Sequence, residues 1–161
     1  MDTREKILSR PGLHAVLEEH RRAGRRIVFA RGVFELLHVG HTRFLSRARA
    51  EGDLLAVAVH SDAGVKRLRG EGRPILTERA RAILVAAQAA VDYVMVADET
   101  DVRGLLSEFQ PDVYARGDDG ETDAQRDAEL RMLGIRVAVL GGDPLHSTTA
   151  VIERIRREAH G

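Results

Sequence analysis

Two histidines, His38 and His41, close the run Arg31-Gly32-Val33-Phe34-Glu35-Leu36-Leu37-His38-Val39-Gly40-His41. The run follows an apolar stretch, Ile27 to Ala30, and leads into a segment of helical periodicity. A helix that begins near Gly40 presents unpaired N–H groups and the positive end of its dipole, which suits an anion. Imidazoles at that spacing point into one volume and donate hydrogen bonds to phosphate oxygens whether neutral or cationic. Gly32 has no side chain, so a phosphate can approach the backbone there. A His-x-x-His pair is also half of a zinc site, and one histidine at a helix start is usually a cap. The chain has no cysteine and no third ligand at suitable spacing, so the anion reading is the stronger.

Other groups could serve the same chemistry. Lys66, Arg69 and Arg73 sit around a glycine-containing stretch read as a loop, which is either exposed or a cover for an anion. Arg81 falls on a helix whose polar face would ordinarily be solvated. Arg116-Gly117-Asp118 ends an apolar run, either as a plain turn or as a ligand contact, and Asp62 follows another run in the same way. Ser147-Thr148-Thr149 is an N-cap signal before the last helix, a role compatible with phosphate binding.

Five apolar runs position these groups: Ile27 to Ala30, Leu54 to Val59, Tyr93 to Val96, Asp112 to Ala115 and Arg136 to Leu140. Their near-continuous apolar character is that of parallel strands covered on both faces. Helical patterns fall over His41 to Glu51, Thr77 to Ala89, Val102 to Phe109, Asp123 to Leu133 and Ser147 to Ala159. The alternation predicts an α/β fold, a Rossmann-like doubly wound sheet of five parallel strands in a single domain. Residues 25–161 form that domain, and residues 1–24 a helical lead-in on the sheet edge. Ligands of such sheets sit beyond the carboxyl ends of the strands, where strand order reverses. The first loop lies in that position.

Composition narrows the classes further. The 161 residues carry 25 Lys+Arg against 25 Asp+Glu, so an anion site must be local rather than a general basic surface. Arg43, Arg47 and Arg49 alternate with core residues, are offset by Glu51 and Asp53, and lack interleaved aromatics, so no nucleic-acid partner is expected. No apolar run approaches the ~20 residues of a membrane span, and the first residues lack a signal-peptide core. The expectation is a cytoplasmic protein without a membrane partner.

The first loop resembles the H-x-G-H signature of the cytidylyltransferase-like nucleotidyltransferases, in the pattern T-N-G-C-F-D-x-L-H-x-G-H. The likeness covers nearly the whole chain. Leu68-Arg69-Gly70-Glu71-Gly72-Arg73-Pro74-Ile75 is similar to L-K-G-x-x-R-P-V, and Arg81 to Val94 to R-x-x-x-L-x-A-L-x-x-V-D-x-V. Pro111 to Asp118 is similar to P-D-V-L-V-K-G-x-D, and Ser147-Thr148-Thr149 to a terminal S-T-T. Within the superfamily the pattern is closest to the nucleotidyltransferase part of ADP-heptose synthases and more distant from glycerol-3-phosphate cytidylyltransferases.

That resemblance implies attack of a substrate phosphate oxygen on the α-phosphorus of a nucleoside triphosphate, with pyrophosphate leaving. His38, His41, Arg81 and Arg69 would stabilise charge on the phosphates. Gly32, Val33, Phe34, Gly40, His41, Arg116, Gly117, Asp118, Ser147, Thr148 and Thr149 would bind nucleotide, and Arg31, Glu35, Asp62, Lys66 and Arg73 the acceptor. Mg²⁺ would be held by phosphates and water, without a side-chain metal site. A homodimer is expected by analogy, and a sugar kinase, where one is needed, as a separate protein.

The chain departs from the pattern at Arg31 for Asn, Glu35 for Asp, Arg69 and Arg116 for Lys, and Leu145 for Gly. It also lacks the Arg-Thr of the cytidylyltransferase R-T-x-G-I-S-T. The nucleotide is therefore expected to be ATP and the acceptor a sugar phosphate such as a heptose 1-phosphate. CTP with a polyol phosphate, and nucleotide binding without catalysis, are the alternatives.

Overall fold

The computed structural model describes residues 2–98, 102–118, 124–141 and, near the C-terminus, positions 152, 154, 155, 157 and 158. The elements run α1 (Arg10–Arg22), β1 (Ile27–Gly32), α2 (Val39–Arg49), β2 (Leu54–His60), α3 (Asp62–Arg69), α4 (Glu78–Ala86), β3 (Tyr93–Ala97), α5 (Val102–Phe109), β4 (Val113–Gly117), α6 (Ala124–Met132) and β5 (Arg136–Leu140). The five strands pair in parallel in the order β3-β2-β1-β4-β5. Strand order therefore reverses between β1 and β4, and the crevice beyond their carboxyl ends is the expected ligand site.

Helices cover both faces, as the apolar strands required. On one face Ile27, Phe29, Ala56, Ala58 and Tyr114 pack against Leu13 and Leu17 of α1, Leu105, Leu106 and Phe109 of α5 and Leu130 of α6. On the other, Val28, Ala30, Val57, Val59 and Ala115 meet Leu45 and Ala48 of α2 and Ala82, Val85 and Ala86 of α4. All seven residues of β2 are buried. The lead-in contributes one helix to this core, and Ile7 ahead of it bridges to Val94 of edge strand β3.

Aspartates that precede strands tie their amino ends together. The Ile27 N–H donates to Asp112 Oδ2 (2.7 Å), the Leu55 N–H to Asp92 Oδ2 (2.8 Å) and the Arg26 N–H to Asp53 Oδ2 (2.7 Å). Asp112, expected within the fourth strand, stands just before it for this reason. Helix starts follow capping chemistry. Ser9 accepts from the Gly12 N–H, Ser61 from Gly64 and Thr77 from Ala80.

Two boundaries differ from the sequence expectation in ways that matter for the site. β1 extends through Arg31 and Gly32, which align with Ala58 and Val59 of β2. The stretch with Lys66 and Arg69 is the helix α3, ended by Gly70 at φ 88°. α3 buries Val65 as its one large apolar residue, and its Ser61 cap and Gly70 mark its ends.

Candidate active site

The carboxyl end of β1 turns sharply at Phe34, whose φ is 50°. Its ring folds back over Gly32, where an added Cβ would come within 2.8 Å of a ring carbon. Gly32 is thus required first by a neighbouring side chain. The buried Phe34 ring then meets His41 edge-on, with centroids 5.3 Å apart. His38 is the N-cap of α2 but makes no side-chain capping bond, and its ring stacks on His41 at 3.8 Å. Two imidazoles this close resist simultaneous protonation. Burial, reinforced by His38 and opposed by a backbone hydrogen bond at Leu36, lowers the His41 pKa to about 4. His41 is therefore neutral at pH 7 and offers one N–H, and its Nδ1 is buried without a hydrogen-bond partner.

Arg81 reaches the same region from α4. It is fully buried. Its Nη1 donates to Val33 O (2.8 Å) and His60 O (2.7 Å), its Nε to Leu76 O (3.0 Å), and its Nη2 to Asp62 Oδ1 (2.8 Å). The guanidinium fork thereby joins the ends of β1 and β2 to the starts of α3 and α4. Those two helix starts also exchange carboxylates. The Asp62 N–H donates to Glu78 Oε2 (2.8 Å) and the Glu78 N–H to Asp62 Oδ1 (2.7 Å).

A second tie fixes the connection between α3 and α4. Glu35, only 4% exposed, accepts from the Ile75 N–H (2.8 Å) and from Arg73 Nη1 (2.9 Å). Across the crevice, the buried Arg116 at the end of β4 pairs with Asp127 of α6 at 3.2 Å. Asp118 follows, exposed.

A model of the cytidylyltransferase-like family matches residues 29–154. The chain belongs to that family. Among curated relatives it is 42% identical over 152 residues to a bifunctional protein HldE from Syntrophotalea carbinolica, covering 93% of this chain and 31% of the relative. It is 41% identical over 153 residues to the protein of the same name from Ectopseudomonas mendocina, covering 94% and 32%. The chain thus spans about a third of the length of these relatives. A solved lipopolysaccharide core biosynthesis protein from Thermoplasma volcanium is 30% identical with a TM-score of 0.63, over 74% of this chain and 98% of that one. A pantoate-β-alanine ligase from Francisella tularensis, 13% identical with a TM-score of 0.64 over 89% and 68%, shares the fold.

The family signature lies where strand order reverses. Gly32, Val33, Phe34, His38, Gly40 and His41 border β1 and α2, while Arg116, Gly117 and Asp118 end β4 beside them. Ser147, Thr148 and Thr149 lie outside the described residues. Five of the expected site residues make contacts within the protein. Arg81 is turned inward on three carbonyls and a carboxylate, so it braces the loops where a phosphate-holding side chain was expected. Glu35 and Arg73, expected to meet the acceptor, bind each other because Glu35 is buried under the 70–76 connection. Asp62 is committed to Arg81 and the start of α4. Lys66 pairs with exposed Glu71 at 3.0 Å on the surface.

The sequence reading passed over His60. It ends β2 on the ligand side, is 4% exposed, and carries a buried Nδ1 with no hydrogen-bond partner. Burial lowers its pKa to about 4, with added repulsion from Arg31, Arg81 and Arg69. The available signal was a polar residue closing an otherwise apolar strand.

Proposed function

We propose that this chain transfers a nucleoside monophosphate, from ATP in the first instance, to the phosphate of a sugar phosphate such as a heptose 1-phosphate, releasing pyrophosphate. An acceptor phosphate oxygen forms a bond to the α-phosphorus as the bond to the pyrophosphate oxygen breaks. No enzyme nucleophile is needed, so catalysis is positioning and charge stabilisation. The observation that carries this reading is the stacked pair His38 and His41 at the start of α2, in the crevice where strand order reverses. His41, neutral before binding, gains affinity for a proton as negative charge arrives, and the imidazolium then donates to phosphate oxygens. Arg81 acts as a positioning residue, holding the carbonyl of Val33 and with it the first loop. A Mg²⁺ held mainly by phosphate and water oxygens would neutralise part of the triphosphate charge. ATP is favoured over CTP by the resemblance to ADP-heptose synthases and by the absence of Arg-Thr before Ser147.

The test is pyrophosphate release with ATP, CTP, GTP and UTP against a panel of sugar and polyol phosphates. Turnover with ATP and a heptose 1-phosphate is expected, and no release from any pair overturns the reading. His41→Ala should lower the rate at least ~100-fold if its imidazole stabilises developing charge. Because that ring also packs on Phe34, His41→Asn serves as the second variant, and near-wild-type rates in both would remove the assigned role.

A further inference from the structure

The turn after β1 carries a phenylalanine where a turn with no other task would take glycine or asparagine. Phe34 holds a φ of 50°. That conformation is costly for a bulky residue and persists only where its surroundings enforce it. The side chain shows what the conformation achieves. Its ring lies over Gly32, where an added Cβ would come within 2.8 Å of one ring carbon and 3.0 Å of the next. The same ring meets His41 edge-on, with centroids 5.3 Å apart and planes inclined at 60°. Phe34 is buried in the apolar cluster it shares with Leu45 of α2 and Val85 of α4, so the ring is anchored to the core.

His41 depends on that anchor. Its Nδ1 is buried without a hydrogen-bond partner. The orientation of the imidazole therefore rests on a backbone hydrogen bond at Leu36 and on ring packing, against His38 at 3.8 Å and against Phe34. Contacts between aromatic rings are directional, so the plane of the Phe34 ring favours one tilt of its neighbour. The ring also excludes water. Burial is the largest cause that lowers the His41 pKa to about 4, and His38 on the same helix adds to it.

We propose that Phe34 is a positioning residue for nucleotidyl transfer, its ring seated over the bare backbone of Gly32 and against His41 so that the imidazole meets the nucleotide phosphates in one orientation. This rests on the nucleotidyl-transfer reading above. A charge-stabilising group that must search for its angle loses much of the rate that preorganisation supplies. Gly32 then serves His41 through Phe34, because a methyl group on residue 32 meets the Phe34 ring first. A Phe34 that only fills the core would be replaced without effect on His41 by any apolar side chain that keeps the fold.

The experiment is an imidazole NMR titration of the full chain against pH, without ligand, in wild type, Phe34→Leu and Gly32→Ala. His38, His41 and His60 are assigned by single His→Asn variants. His41 should titrate at least ~1 pH unit higher in both variants, as water reaches a ring that Phe34 no longer covers. His60, at the end of β2, should keep its titration in both and so report that the fold is intact. Should Phe34→Leu unfold, Gly32→Ala decides, since its methyl group displaces only the far end of a side chain. In turnover assays each variant should lower kcat at least ~10-fold with the nucleotide KM within about twofold. A His41 titration unchanged in both variants overturns the proposal. So does a His41 that titrates higher while kcat stays at the wild-type value. The two readings fail separately. Pyrophosphate release with an unmoved His41 removes only the positioning role, whereas a His41 that moves in both variants, in a wild-type protein that releases no pyrophosphate from any pair, removes nucleotidyl transfer.

Discussion

Replacing Arg81 should unfold the site before it changes the chemistry. The side chain is fully buried, and it donates to the carbonyls of Val33, His60 and Leu76 and to the carboxylate of Asp62. In Arg81→Met the volume is nearly kept, but the four acceptors lose these donors. Each orphaned carbonyl costs about 1–3 kcal/mol where water cannot reach it, and Asp62, 41% exposed, adds at most about 1 kcal/mol. These overlap, so the expected loss is ~4 kcal/mol against a total stability of about 5–15 kcal/mol. With a urea dependence of about 1–3 kcal/mol per molar, the unfolding midpoint should fall by roughly 2 M. Arg81→Lys keeps the charge but replaces a planar fork by a point donor, and should lose about half as much. Adding Asp62→Asn to Arg81→Met should cost less than Asp62→Asn alone, because the carboxylate no longer has its cation. Urea unfolding of these four variants beside the wild type measures all of this. A midpoint shift below ~0.5 M in Arg81→Met, together with loss of turnover, would refute the reasoning. It would mean that Arg81 acts on the substrate after all.

Two further outcomes follow from the same contacts. His41 and His60 both sit near pKa about 4 when folded, against 6.5 for the free side chain. Between those values the unfolded chain binds more protons, so stability falls as pH drops from 6.5 toward 4. The loss at pH 5.5 should be roughly 1 kcal/mol for each after allowing for solvent at the crevice. The double variant His41→Asn/His60→Asn should therefore lose about 2 kcal/mol less than wild type between pH 7.5 and 5.5, and parallel urea midpoints would exclude the linkage. Glu35→Gln keeps the shape of the side chain but weakens its hold on Ile75 and Arg73. Cleavage after Glu71 by a glutamate-specific protease should accelerate at least ~5-fold, as expected for a local tie worth about 1 kcal/mol or more, and an unchanged rate would show that the tie is not what orders the connection.

Much of this protein was legible because a few physical rules act locally. Continuous apolar runs such as Leu54 to Val59 have no polar face, so they had to be strands covered on both sides, and the helical patterns between them imposed parallel order. The H-x-G-H run fell at the start of the helix after β1 by the same logic, where His38 and His41 stack. Local sequence could not say which way a long polar side chain turns. Arg81 looked like a solvated or phosphate-holding arginine because its acceptors come from Val33, His60 and Asp62, distant in sequence and gathered only by strand order. Glu35 and Arg73 looked like two ligands because nothing local shows that they face each other. Gly32 was recognised for the right property and the wrong neighbour, since the Phe34 ring takes the space above it. His60 was missed because its burial and its cationic surroundings exist only once β2 lies beside β1. Sequence determined the elements and the signature, through periodicity and capping. The tertiary structure decided which charges meet one another, because electrostatic partnership depends on distance through space rather than along the chain.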